Sequence, residues 1–325
     1  MNDFKDSFFV KNKKIHSSEK TYIVAEIGLN HNNDLEIGKR TIEAAKNSGV
    51  DAVKFQTYKT ENFIDEKNTE CKFLFDIFKK YELSEKFHIE FQKTAHDLGL
   101  DFFSTPLDVI SVDFLNSLNV PVFKIASGDI VNSELLEAVS RTKKPIFLST
   151  GAAELFEITR ALEFLHSNSV EELALFYCVS LYPTPIQELN LKTISLFREI
   201  FKGPLGFSDH SAGHLATSLS MAFDVSIIEK HFTLDKSLDG PDHTISLDPK
   251  EMSELVQNVE IAKQMVGFPR KRPSKQEREG RFFGRRSLYI NEQNRPISLR
   301  PAIHLKDSSY FDSWEFIKWK NKTVS

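Results

Sequence analysis

Two cysteines, Cys71 and Cys178, are all that the 325-residue chain contains. Neither sits in a Cys-x-x-Cys or Cys/His spacing, which excludes a disulfide framework and a structural zinc site. Glycine and proline are sparse, at 13 and 12 residues, and this rules out collagen-like and low-complexity chains. Apolar runs such as Tyr22 to Ala25 and Leu173 to Val179 fall well short of the ~18 residues of a membrane span. The N-terminus carries charges where a secretory signal has its apolar stretch, so a cytoplasmic location is the expectation. A net charge of −4 gives no broad attraction to nucleic acid, and the one basic cluster, Arg270 to Arg286, is local. Neither nucleic acid nor membrane is an expected partner.

What is present suits a core-forming protein, with 40% hydrophobic and 27% charged residues. The length fits two small domains, or one α/β barrel of roughly 250 residues with an appendage. Eight short β-branched or aromatic runs decide for the barrel: Tyr22 to Gly28, Ala52 to Tyr58, Asp101 to Thr105, Val122 to Ser127, Ile146 to Thr150, Leu173 to Ser180, Pro204 to Ser208 and Ser226 to Thr233. Amphipathic helical segments separate them, such as Leu155, Ile158, Leu162 and Leu165. Eight strand–helix repeats are the count that closes a (β/α)8 TIM barrel, and the first turn, GLNHNND, lacks the glycine pattern of an open dinucleotide fold. Ahead of the first strand, Phe8 to Val10 and Lys14 to His16 read as a β-hairpin plugging the N-terminal mouth. The expected organisation is a barrel domain over 1–268 with its hairpin in 1–20, a charged linker over 269–284, and a tail over 285–325 with one strand, Arg286 to Ile290, and Trp314 and Trp319.

Barrel enzymes place their chemistry where strands end. Here the strand ends carry Glu26 and Asn30; Lys54 and Gln56; Thr105; Lys124, Ser127 and Asp129; Ser149; Ser180 and Tyr182; Ser208 and His210; Glu229 and His231. The two-residue period puts Lys54 with Gln56, and Glu229 with His231, on the face that looks inward, since an outward face must pack against helices. An interior ion pair is an equally good reading of any one of these residues; their joint placement favours an active site. Two lysines with several hydroxyls suit a small anion bearing phosphate and carboxylate. His210 and His231, ending neighbouring strands, suit a divalent ion among oxygen donors, Mn²⁺ or Mg²⁺ rather than structural zinc. Glu26, and Glu229 likewise, could orient a water or a sugar hydroxyl. His31 and His243 read as contacts near the mouth rather than ligands.

The segments AEIGLNHNND, DAVKFQTY, STPLD, FKIASGD, LSTGAA, CVSLYPTP, GFSDHS, EKHFTLD with GPDH, and GRRSLY together resemble the N-acetylneuraminate (sialic acid) synthase family, which includes the legionaminate and pseudaminate synthases. The resemblance runs in register from about Tyr22 to Tyr289. It implies a TIM-barrel transferase that condenses phosphoenolpyruvate with an N-acylated mannose-type sugar, using Mn²⁺ or a similar ion such as Mg²⁺ or Co²⁺. The products are a nine-carbon 3-deoxy ulosonic acid and phosphate. It further implies that Lys54, Thr105, Lys124, Ser127, Ser149, Ser180 and Ser208 hold phosphoenolpyruvate and that His210 and His231 bind the metal. Glu26 and Asp129, with Lys54 and Lys124, act at the reacting centre, and Asn30, Gln56, Tyr182, Asp242, Phe283 and Arg300 contact the sugar. A homodimer is implied, in which a C-terminal antifreeze-like (SAF) domain lends an arginine to the partner's site; here that domain is expected in shortened form, either as a reduced lid that still delivers Arg300, the favoured reading, or as a remnant.

Three positions depart from the family pattern: Asp129 stands where many members have Glu, Ser180 where Asn is frequent, and Gly284 where an aromatic precedes Arg-Arg-Ser. The stretch GPDHTISLDP is more like the sialic and legionaminic branches than the pseudaminic one. Two rivals remain at this stage. One is condensation with a phosphorylated sugar, as in 3-deoxy-octulosonate phosphate synthases, for which only Lys59 and Lys236 speak. The other is a non-catalytic sugar-binding paralogue, against which the intact Lys54, Lys124, His210 and His231 set argues.

Overall fold

The computed structural model describes residues 4–269 and 271–301, and the chain divides into two units, Met1–Gly267 and Phe268–Ser325. The first opens with a hairpin, β1 (Phe8–Val10) and β2 (Lys13–Ile15), paired antiparallel with Phe8 opposite Ile15. Eight parallel strands follow, β3 (Tyr22–Gly28), β4 (Ala52–Thr57), β5 (Asp101–Pro106), β6 (Phe123–Ile125), β7 (Ile146–Ser149), β8 (Leu173–Cys178), β9 (Leu205–Asp209) and β10 (Val225–His231). Helices α1 (Leu35–Asn47), α2 (Lys72–Tyr81), α3 (Glu85–Asp97), α4 (Val109–Ser117), α5 (Ser133–Arg141), α6 (Leu155–Ser167), α7 (Thr193–Ile200), α8 (Leu215–Ser220) and α9 (Pro249–Val266) connect and follow them. The ladder runs β5-β4-β3-β10-β9-β8-β7-β6, and its end strands, β5 and β6, lie side by side. This is the expected (β/α)8 barrel.

Local sequence explains the helix starts. Asp34 caps α1 by accepting from the N–H groups of Glu36 and Ile37, and Asp248 with Glu251 forms a capping box ahead of Pro249 at the start of α9. Gly38 lets α1 approach α3, because a Cβ there would lie 2.2 Å from the Phe91 ring. Inside the barrel, Tyr22, Phe103, Phe147 and Phe176 form an aromatic layer, with Phe147 at 6.3, 5.8 and 5.3 Å from the other three rings. Phe8 of the hairpin reaches the same Phe147 from below, at 6.4 Å. Lys11 and Lys13 pair with Asp101 at 3.2 and 3.3 Å. Since Asp101 begins β5, the hairpin does plug the N-terminal end, and the aromatic layer separates it from the mouth.

In the second unit, α10 (Lys275–Gly284) precedes an antiparallel pair, β11 (Ser287–Ile290) and β12 (Pro296–Leu299), with Ser287 opposite Leu299. Two expectations change here. The segment taken for linker holds a ten-residue helix, started by a Ser274–Glu277 capping box that outweighs its charged composition. The tail holds a second strand besides the one expected. Its remainder, 302–325, with Trp314 and Trp319, lies outside the described residues. Among the described residues no helix is long and apolar enough to cross a membrane.

Candidate active site

Strand register assembles the mouth. Glu26 on β3 lies beside His231 of β10 on one side and Lys54 of β4 on the other, and Glu229 of β10 lies beside Ser208 of β9. Their side chains meet over the aromatic layer, and the Lys124 ammonium sits 4.6 Å above the Phe176 ring. Lys124 grips both oxygens of Glu229, at 2.8 and 2.7 Å, and the Ser208 hydroxyl donates to the same carboxylate at 3.0 Å. Lys54 lies 2.9 Å from Glu26 Oε2 and 3.6 Å from Glu229, and donates to the Thr105 hydroxyl at 3.0 Å. All four charged groups are buried. The Lys54–Glu26 approach is close but poorly aligned, so Oε2 of Glu26 has no hydrogen-bond partner.

The two carboxylates therefore differ. Burial pushes both up, but the charges of Lys124 and Lys54 outweigh it at Glu229 and hold that group well below the carboxylate range. At Glu26 burial wins, helped by the negative charge of Glu229, and the carboxyl rises to about 7 against the pull of Lys54. Burial lowers the Lys124 ammonium. Lys54, despite burial, is held above its usual value by Glu229 and Glu26.

A cavity of about 230 Å³ opens above these groups. Thirteen of the sequence-derived site residues line it: Glu26, Lys54, Gln56, Thr105, Lys124, Ser127, Ser149, Ser180, Tyr182, Ser208, His210, Glu229 and His231. One wall is a hydroxyl and thiol cradle. The Gly151 N–H donates to Ser127 Oγ at 2.9 Å, and a Cβ at Gly151 would lie 2.2 Å from Ser180 Oγ and 2.8 Å from Ser127 Oγ. A side chain there would fill the cradle. Across the barrel, on the β4 and β5 side, the wall is Phe78, Gln56 and Leu107.

The imidazoles of His210 and His231 lie 5.4 Å apart by ring centroid, with the Tyr182 ring 4.2 Å from His210. His210 Nδ1 sits 2.9 Å from the Val179 carbonyl. A carbonyl only accepts, so Nδ1 carries the proton, and Nε2 lies 3.4 Å from the Ser208 hydroxyl. Burial, with Lys54 nearby, lowers His231 to about 3 and keeps it neutral. Its buried Nδ1 has no hydrogen-bond partner, and the Asp242 carboxylate stands 3.8 Å away. A neutral His231 with an orphaned buried nitrogen, facing the His210 ring, suits a divalent cation. Among the described residues no three His, Cys, Asp or Glu side chains form a ready cage, so an ion held by the two imidazoles would need its remaining ligands from substrate and water.

Several expected residues stand elsewhere. Asn30 is buried and does not line the cavity; its amide donates to the Phe232 carbonyl and the Ser246 hydroxyl at 2.9 and 2.8 Å, so it braces the first loop against the last. Asp129 is also off the lining, half-buried, and accepts from the side-chain amide of Asn132 at 3.2 Å. His31 packs 6.1 and 6.3 Å from the rings of Phe55 and Phe91. His243 is spent on Thr233 and Asn32 at 2.7 and 3.0 Å. Both are buried and neither lines the cavity. Phe283 and Arg300 belong to the second unit, in α10 and just past β12.

Reading the sequence alone missed Cys178 and Phe78 as lining residues. Cys178 ends β8 with its Sγ 3.6 Å from Ser127 Oγ, a position the barrel rule could have flagged. Phe78 arrives on α2, and nothing in the chain distinguishes it from a core aromatic.

Comparison with known proteins agrees with this geometry. The family model described as the NeuB family matches residues 41–271. The N,N'-diacetyllegionaminic acid synthase of Legionella pneumophila is 40% identical over 84% of this chain and 81% of its own. The pseudaminic acid synthase of Helicobacter pylori is 34% identical over 89% and 90%. A crystal structure of N-acetylneuraminic acid synthetase from Leptospira borgpetersenii, in complex with citrate, superposes with a TM-score of 0.79 at 34% identity, covering 84% of this chain and 94% of that one. A lysine- and hydroxyl-lined barrel mouth, carried on a sequence this close to named synthases along most of its length, makes the chain an enzyme that belongs to the NeuB family.

Proposed function

We propose that the protein condenses phosphoenolpyruvate with an N-acylated amino sugar of the mannose type, C3 of phosphoenolpyruvate attacking the sugar aldehyde. Water then adds at C2, and phosphate leaves by C–O cleavage, giving a nine-carbon 3-deoxy ulosonic acid. The observation that carries this reading is the pair of buried lysines beneath a hydroxyl cradle. Lys54 and Lys124 are shared with two carboxylates and can turn to the carboxylate and phosphate of the ligand, while Ser127, Ser149, Ser180 and the opening at Gly151 receive the phosphate oxygens. A dry wall makes these charges count for more than they do in water. Glu26, whose carboxyl is raised to about 7, is suited to take up at Oε2 the proton that the adding water gives up and to return it to the departing phosphate.

Glu229, and Glu26 when ionised, offset the charge of the two lysines, so a polyanionic ligand calls for further positive charge. His210 and His231 would hold a divalent cation, Mn²⁺ for preference, which when bound supplies Lewis acidity at the aldehyde. For the acceptor we favour a 2,4-diacetamido-2,4,6-trideoxy sugar over N-acetylmannosamine. Phe78 and Leu107 offer apolar surface for methyl groups where a hydroxyl would go unpaired, and the relative named for the legionaminic product is 40% identical. A homodimer in which Arg300 serves the partner's site completes the reading; a monomer by light scattering removes that last element.

The test is phosphate release from phosphoenolpyruvate by metal-stripped protein with Mn²⁺ restored, offering each sugar separately and identifying products by mass. Release with the diacetamido sugar is expected. Silence with both sugars, in folded and metal-loaded protein, overturns the reading.

A further inference from the structure

The alternation that turns Glu229 and His231 into the barrel mouth turns Lys230 the other way, toward the helices, where a charge is costly. Lys230 is nevertheless among the largest fully buried side chains. Its ladder partner on β9 is Asp209, equally buried, and the two meet at 3.0 Å. Asp209 is saturated. Oδ1 accepts from the backbone N–H and the hydroxyl of Ser211 at 2.8 and 2.6 Å, and Oδ2 from the Thr217 hydroxyl at 2.6 Å. Lys230 Nζ also donates to the Ser211 carbonyl at 2.5 Å. The network thus fixes the residues on both sides of His210, namely Asp209 and Ser211, and a residue adjoining both Glu229 and His231. Packing alone does not ask for this, since an apolar pair of like volume is commonly as stable as a buried ion pair.

We infer that the Asp209–Lys230 pair is a positioning device that holds His210 and His231 at the separation a shared divalent cation needs. The inference rests on the reading of those imidazoles as the cation site. Asp209 sets the turn that aims one imidazole, Lys230 ties that turn to the strand carrying the other, and neither touches the substrate.

The test replaces the pair with apolar residues of similar size, Asp209→Leu with Lys230→Met. Mn²⁺ is titrated into metal-stripped protein while free Mn²⁺ is followed by its spin-resonance signal, and each protein is melted without metal. The double variant is expected to melt cooperatively but below wild type, since the Ser211 and Thr217 donors lose their acceptor, and to bind Mn²⁺ about 10- to 100-fold more weakly. Thr217→Val, which removes one hydrogen bond to Asp209, is expected to weaken binding roughly threefold to tenfold, and it decides the matter if the double variant does not fold. Tyr22→Phe, at the far end of the barrel, controls for general loosening: its melting point should fall and its Mn²⁺ affinity should not. Wild-type affinity in the folded double variant, or in Thr217→Val where the double variant fails to fold, overturns the inference. So does an equal loss in Tyr22→Phe. Wild-type protein that takes up no Mn²⁺ removes the cation reading itself, and the inference with it.

Discussion

Lysines meet carboxylates at both ends of this barrel, on opposite terms. At the N-terminal end Asp101 receives Lys11 and Lys13 at 3.2 and 3.3 Å, from side chains 39% and 32% exposed, and the Tyr22 hydroxyl donates to it at 2.9 Å. At the mouth Glu229 and Glu26 receive Lys124 and Lys54 from side chains 3% and 6% exposed. In the lower cluster Asp101 is buried but its lysines keep much of their water, and the cluster serves to fasten the hairpin. The upper one has given its water up, and one carboxylate oxygen there, Glu26 Oε2, has an ion-pair neighbour but no hydrogen bond. Desolvated charge with spare bonding capacity is costly to fold and useful to a ligand that brings the missing partners.

The largest effect should come from breaking the tightest buried pair. Lys124→Met leaves Glu229 without its two-oxygen grip, and the expected loss is roughly 3–5 kcal/mol of stability with phosphate release down by about 10³-fold. Denaturant melts and initial rates measure the two separately. A stable, active Lys124→Met would make the mouth no different from the base.

Glu26→Gln sharpens the comparison through pH. In the fold the Glu26 carboxyl titrates at about 7, against an ordinary 4.5, so the native state binds that proton more tightly than the unfolded chain. Ionising Glu26 therefore removes stability as pH rises from 4.5 through 7, and no more above that. Gln has no such titration, so between pH 4.5 and pH 8 the variant should gain up to about 3 kcal/mol relative to wild type. A difference that stays flat with pH would show Glu26 ionised beside Lys54 throughout.

Gly151→Ala probes the cradle without touching charge. The new Cβ would press on Ser180 Oγ and Ser127 Oγ, and the expected outcome is a KM for phosphoenolpyruvate about tenfold higher, the loss of roughly one net hydrogen bond, with the melting point little changed. Unchanged KM would move the phosphate away from that wall.

Much of this was readable in advance because two rules act together. A two-residue period assigns each strand residue to a face, and a barrel puts chemistry where strands end, so Lys54, Lys124, Ser208, His210 and His231 could be named together. The limits appear where a partner comes from far along the chain. Asn30 sits in a recognisable motif, yet its role was decided by Phe232 and Ser246, some 200 residues on. The two-residue period sends Lys230 outward, and only the folded ladder shows Asp209 beside it. Which lysine neutralises which carboxylate depends on side-chain reach across the barrel, and no spacing encodes that. The Ser274–Glu277 box was legible, and the charged composition around it masked the signal.

The smallest effect is expected at the base, and it carries the comparison's other half. Lys13 bonds the Asp51 carbonyl at 3.0 Å and pairs with Asp51 and Asp101, which looks on paper as rich a set as that of Lys54. Its side chain remains a third exposed, so water stands ready to replace each partner, and Asp101 keeps Lys11 and the Tyr22 hydroxyl. Lys13→Ala should therefore cost no more than about 1 kcal/mol, and less in high salt, with kcat and KM as in wild type because the aromatic layer of Phe103, Phe147 and Phe176 lies between this cluster and the mouth. Melts at two ionic strengths and a single set of rates check both halves. A rate change on losing Lys13 would mean that this layer transmits strain from base to mouth, and the two ends of the barrel would have to be treated as one site.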